Sequence, residues 1–155
     1  KLDFENITIT NILLAVGCSI LFYFLLDKCF DPIFENLYPT SVQAYQDTIQ
    51  SLLRSPITSF LQVCIIAPVI EEILIEEFVL GGLKDSYGIS TALLISATLF
   101  ALLHFNMVQT LSAFICGIIL GILFVKTDSI LSCMLAHCGY KLISFVIMIM
   151  PYINR

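Results

Sequence analysis

The sequence predicts an all-α fold, a polytopic transmembrane helix bundle of about five membrane helices with one short surface helix. Three observations predict it. The 155 residues are 59% hydrophobic and 12% charged, with a mean hydropathy of +0.98, whereas a soluble domain is about 45–50% apolar and about 25% charged. The apolar residues gather in five stretches, at residues 7–26, 57–83, 89–104, 110–125 and 130–150, and a hydrocarbon core of roughly 30 Å takes about 20 such residues per span. The connections between the last four stretches are tight, which makes consecutive helices antiparallel neighbours.

The first stretch lacks the basic flank and small-residue cleavage site of a signal peptide, so it reads as a retained span. Position 1 is Lys1 rather than Met, and the sequence reads as a fragment or a processed form. Residues 27–55 are the only long polar segment, broken by Asp31-Pro32 and Tyr38-Pro39, and are expected to be an exterior loop with a short helix over 41–54. The stretches 89–104 and 110–125 are short for spans, but a tightly packed bundle accommodates them as spanning, core or re-entrant helices. Gly81-Gly82 through Gly88 predicts a turn, and Lys126-Thr127-Asp128-Ser129 ends one helix and caps the next. Gly117 and Gly121 form a small-xxx-small pattern that lets a neighbouring helix approach closely. No internal repeat divides the chain, so residues 1–155 are read as a single transmembrane domain.

The formal charge is −5, and the seven Lys and Arg are scattered singly. Phosphate binding needs a basic face, so a nucleic-acid partner is excluded. Cys18, Cys64, Cys116, Cys133 and Cys138 fall inside apolar stretches and read as small core residues rather than a disulfide framework. Orientation from the Lys and Arg bias is a tie: with five spans, Lys1, Lys84 and Lys126 face one side, and Lys28, Arg54 and Arg155 the other.

Against this background the polar groups inside the apolar stretches carry the functional signal. Glu71, Glu72, Glu76 and Glu77 lie in one otherwise apolar helix. Four ionised, unpaired acids at a bilayer centre would cost on the order of 10 kcal/mol, and stability alone would not place them there. Glu76 and Glu77 lie nearer the Gly81 end and closer to the headgroups. Pro68, just upstream, removes a helical hydrogen bond and predicts a kinked, hydrated pocket. The sequence has two histidines, His104 and His137, both in apolar stretches. Intramembrane ionisable groups normally pair inside the bundle and mark functional paths. Lys141 shares a face with His137, as Glu76 does with Glu72, each four residues apart. That matched spacing predicts a Lys141–Glu76 pair. Cys138, adjacent to His137, diverges by about 100° around the helix and reads as core.

The series Glu71-Glu72, then Phe100 to His104, then His137 resembles the CAAX prenyl protease and bacteriocin-processing group, the ABI-type intramembrane proteases. Their pattern is a Glu-Glu pair followed by Arg, then Phe-x-x-x-His, then His-x-x-x-Asn, each on a membrane helix. Gly81-Gly82-Leu83 with Tyr87-Gly88 is similar to the turn of that group, and the likeness covers roughly residues 59–145. It implies an intramembrane endopeptidase of bacterial-type plasma membrane acting on a peptide or membrane-protein substrate. In it Glu71 is the general base on a water, His104 holds or protonates that water, His137 faces the oxyanion and Glu72 orients the site. A carboxylate held away from water suits that role.

The chain departs from the pattern at three places: Glu76 stands for the Arg, Lys141 for the Asn and Glu77 for a common Gly. A Lys can stabilise an oxyanion electrostatically, whereas a Lys tied to Glu76 leaves the site short of a donor worth roughly 100- to 1000-fold in rate. A second reading is therefore a catalytically weakened relative that binds a membrane-protein partner, as a scaffold or bacteriocin-immunity factor. No cofactor is expected. The alternative is a zinc ion held by His104, His137 and a glutamate, with a water in the open position, although no His-Glu-x-x-His is present.

Overall fold

A computed structural model of the chain describes residues 8–104 and 106–153. The start of the first stretch at Ile7, and Lys1 and Arg155 of the charge comparison, lie outside the described residues. Among the described residues the fold is all-α, with six helices. They are α1 (Ile9–Leu37), α2 (Pro39–Arg54), α3 (residues 56–87), α4 (Ile89–Leu102), α5 (Met107–Thr127) and α6 (Ile130–Ile153). Three of these are long and apolar enough to cross a membrane: Ile9–Leu37, Met107–Thr127 and Ile130–Pro151. Helix α4 is apolar but shorter, and α3 carries the acids.

The short helix expected within the polar segment 27–55 is present as α2, but residues 27–37 are not the loop that their composition suggested. Helix α1, capped where Thr8 accepts from the Asn11 amide at 3.2 Å, runs without a break to Leu37. It does so by opening into wide π-helical turns over Tyr23–Phe30, then resuming as α-helix with Pro32 in its first turn. A proline deprives the carbonyl four residues earlier of its donor, and the next amide along closes the wider register. Helix α3 repeats the device. Its π-helical segment Gln62–Ile66 precedes Pro68, and a second one, Ile73–Leu80, follows Glu72. The helix thus widens on both sides of Glu71-Glu72, although no proline explains the second widening.

The turn expected at Gly81–Gly88 is shorter than read: Gly81 and Gly82 are helical, and the chain reverses at Gly88, whose φ of 79° favours glycine. At the other tight junction Asp128 takes a left-handed conformation, its amide donating to the Phe124 carbonyl. Lys84 and Asp128 join the two turns by an exposed ion pair at 3.5 Å.

Helix α4 packs along α5, and α1 along α6. Gly117 and Gly121 make the first pairing possible. A methyl on Gly117 would meet the Ala97 backbone and the Phe100 ring, and one on Gly121 would collide with Leu93. In the second pairing, Ser19 on α1 donates to the Ala136 carbonyl at 2.9 Å and fills the space above Gly139. Large apolar side chains such as Leu13, Phe24, Leu94 and Met150 point outward, while Glu72, Glu76 and His137 are buried. That inverted polarity suits a lipid solvent and places these ionisable groups inside the bundle.

Candidate active site

The acids, imidazoles and lysine come from three helices. Widened α3 supplies Glu71, Glu72 and Glu76, the chain just past the end of α4 supplies His104, and the middle of α6 supplies His137 and Lys141. His137 is the hub. Its Nδ1 lies 2.8 Å from Glu72 Oε1, a fully buried hydrogen bond that fixes the ring. Its Nε2 then faces Glu71 Oε2 at 3.9 Å, and the Glu71 side chain is 21% exposed. That gap is too long for a direct hydrogen bond and suits a bridging water.

Phe100 sets the spacing of the two imidazoles. Its ring meets His104 edge-on at 5.4 Å and His137 at 5.7 Å. The Phe100 carbonyl, which can only accept, lies 3.2 Å from His104 Nδ1. Nδ1 therefore donates there and Nε2 is left available. Both histidines, with Lys141 and Cys116, line a cavity of about 70 Å³, enough for a few waters. Glu71 is not part of that lining; it reaches the group through His137.

Glu76 is buried, but it is not the partner of Lys141. The ammonium of Lys141 sits 5.3 Å over the Tyr140 ring, and Glu76 Oε2, like Glu72 Oε2, has no partner among the described residues. The direction of the helices explains the correction. His137 meets Glu72, the Cys64 thiol donates to the Lys141 carbonyl, and Phe60 packs on Phe145. Helices α3 and α6 are therefore antiparallel, and a turn forward from His137 to Lys141 moves a turn back along α3, away from Glu76. Glu76 Oε2 instead lies against Gly121 of α5. Glu77 is half-buried beside it.

A second polar group was not anticipated. Asp27, in the wide turns of α1, accepts from the Tyr140 hydroxyl at 2.7 Å and from Ser144, and Asp31 accepts from Ser112. Asp27, Asp31, Tyr140 and Ser144 stand at a cleft of about 350 Å³ roofed by α2, whose Tyr45, like Ser112, borders the smaller cavity. Burial first, and then the negative charge of Asp31, Asp27 and Glu35, push the Tyr45 phenol's pKa up, so it stays a neutral hydrogen-bonding group. The one sequence signal was the i, i+4 spacing of Asp27, Asp31 and Glu35, which marks a single face if the helix is assumed to continue.

The residues do not fit the zinc alternative. Both nitrogens of His137 are directed at the two glutamates. Among the described residues no three His, Cys, Asp or Glu side chains gather as a metal would require.

A family model described as Type II CAAX prenyl endopeptidase Rce1-like matches residues 53–143, more than half of the chain. The chain belongs to this Rce1-like family. Glu71, Glu72, His104, His137 and Lys141 all fall inside the matched stretch, which agrees with the resemblance drawn over residues 59–145. Membership of this membrane-protease family, with three helices fit to cross a bilayer, makes the chain an integral multi-pass membrane protein. No curated protein matches it, and no solved structure does.

Proposed function

We propose that this Rce1-like chain is an intramembrane endopeptidase in which a glutamate-activated water hydrolyses a peptide bond. The observation that carries the reading is the placement of His137: hydrogen-bonded to Glu72 on one nitrogen and 3.9 Å from Glu71 on the other, beside a cavity of water size. In the proposed reaction a water between Glu71 and His137 gives a proton to the Glu71 carboxylate, and its oxygen bonds to the scissile carbonyl carbon. The carbonyl oxygen takes up the electron pair and is met by donors of the site. Collapse breaks the C–N bond, and the proton held by Glu71 passes to the departing amine. Glu72 keeps the His137 ring in place, and His104, with Nε2 available, holds water in the cavity.

On this reading α3 and α4 also cross or enter the membrane, giving about five membrane segments, and the substrate is a peptide or membrane protein of a bacterial-type plasma membrane. The site residues that depart from the family resemblance, Glu76 and Lys141, favour one second reading, a catalytically weakened relative that binds a membrane-protein partner as scaffold or immunity factor. Cleavage of a quenched fluorescent peptide by the purified chain in detergent separates the two. The endopeptidase reading expects turnover by the native chain and none by Glu71→Gln of equal thermal stability. Stable native protein without turnover on peptide and prenylated-peptide substrates supports the binding role instead.

A further inference from the structure

Most of the polar groups that line the small cavity are already committed. Tyr140 donates to Asp27 and Ser112 to Asp31, Lys141 interacts electrostatically with Asp31, and both nitrogens of His137 are directed at the two glutamates. His104 donates from Nδ1 to the Phe100 carbonyl and so offers the cavity an acceptor. Two neutral donors remain in the lining, the Tyr45 hydroxyl and the side-chain amide of Gln109. They differ in how they are held. No hydrogen bond to a described residue fixes the Tyr45 hydroxyl, whereas Gln109 is fixed in the first turn of α5.

The fixing runs through Asn106. The Gln109 backbone amide, which can only donate, lies 2.9 Å from Asn106 Oδ1. The other end of the Asn106 side chain is therefore its NH2 group, and this donates to the Gln109 side chain at 2.6 Å. Its partner must be an acceptor, Gln109 Oε1, so the Gln109 amide cannot exchange its two ends. Gln109 Nε2 keeps both protons without a partner among the described residues. The same turn is joined to His104, because the Thr110 hydroxyl reaches the Asn106 and His104 carbonyls at 2.8 and 3.1 Å. Gln109 thus holds an oriented amide where the cavity of the two histidines adjoins the larger cleft.

Resting on the endopeptidase reading, we infer that the Gln109 NH2 group is a catalytic donor to the oxyanion formed on the scissile carbonyl, and that Asn106 is the positioning residue that sets it. A cavity this small holds only a few waters, so a carbonyl brought to the water beside His137 occupies most of it and comes within reach of Gln109. An amide suits the task. It is neutral, so it needs no counter-ion inside the bundle, and it binds a developing negative charge more strongly than the ground-state carbonyl. Its direction is set before the substrate arrives, so no reorganisation is needed when the charge forms. Gln109 forms no covalent bond and gives up no proton.

The experiment uses the full chain in non-ionic detergent, a quenched fluorescent peptide, and a phosphinate analogue of that peptide whose tetrahedral anion imitates the transition state. Gln109→Met keeps the side-chain length and removes the donor. Its kcat should fall about 100-fold at unchanged KM, and it should bind the phosphinate about 100-fold more weakly. Asn106→Asp keeps the acceptor for the Gln109 backbone amide, and with it the helix cap and the melting temperature. It also puts a carboxylate where the Asn106 NH2 group was, and the Gln109 NH2 group turns to it. Its kcat should fall about as far, and the double variant no further, because both changes remove one hydrogen bond. A kcat within about threefold of native in Gln109→Met, or in Asn106→Asp should the first variant not fold, overturns the inference and leaves the endopeptidase reading standing. A loss confined to KM makes Gln109 a substrate-binding group and also overturns it. Absence of turnover by the native chain refutes the endopeptidase reading, and the inference falls with it.

Discussion

Acids on two helices of this bundle, buried on α3 and half-buried on α1, are satisfied in opposite ways. Glu72, on α3, is met by an imidazole. Asp27 and Asp31, on α1, are met by hydroxyls of Tyr140, Ser144 and Ser112. Both arrangements make a carboxyl tolerable away from water. They differ in what can follow. A hydroxyl is a poor proton acceptor, so the α1 acids are fixed in their hydrogen bonds and join α1 to α5 and α6. A neutral imidazole can donate from one nitrogen and accept at the other, so on the proposed mechanism His137 holds the water beside Glu71. The α3 group also leaves Glu72 Oε2 and Glu76 Oε2 without partners, whereas both oxygens of Asp27 are bonded. On the proposed mechanism the chemistry lies in the α3 region, and the α1 region braces the bundle.

Substitutions break this contrast in graded steps. The largest effect is expected for His137→Ala, which strips the buried Glu72 of its partner. Cleavage should vanish, and stability should fall by about 3–5 kcal/mol, read as a lowered melting temperature in detergent. Glu72→Gln and Asp27→Asn form the sharpest pair, each swapping a carboxyl for its isosteric amide. The first should reduce kcat by about 100-fold with little thermal change. The second should cost about 1–3 kcal/mol of stability and alter kcat only a few-fold; a reversed ranking would exchange the two roles. Tyr140→Phe removes one donor to Asp27 and should cost about 1 kcal/mol. Smallest in its effect on cleavage is Gly88→Ala, which should leave kcat unchanged while costing about 1–3 kcal/mol by melting temperature, because it strains one turn remote from both groups.

Much of the frame was legible in the residues. Apolar stretches and intervening Gly and Asp-Ser breaks place α4, α5 and α6 within a few residues of their observed ends, and the Glu-Glu, Phe-x-x-x-His and His pattern pointed to the family. Helix α1 was cut short in the reading because Asp27, Lys28 and Asp31-Pro32 look like a loop when judged on local polarity. Their hydrogen-bond partners lie 81 to 117 residues away, beyond any local pattern. The supposed Lys141–Glu76 pair failed for a related reason. Spacing within a helix says which residues share a face, but the relative direction of two helices decides which turns meet. Antiparallel α3 and α6 bring Lys141 beside Cys64 and leave Glu76 against Gly121.

The central claim is that Glu71 and His137 act on one water held between them. An experimental structure of the detergent-solubilised chain, at a resolution that shows ordered solvent, tests it most directly. The account predicts a water within about 3.2 Å of both Glu71 Oε2 and His137 Nε2, with Glu72 still on Nδ1. A dry gap between those atoms, or a Glu71 side chain turned away from His137, would contradict it.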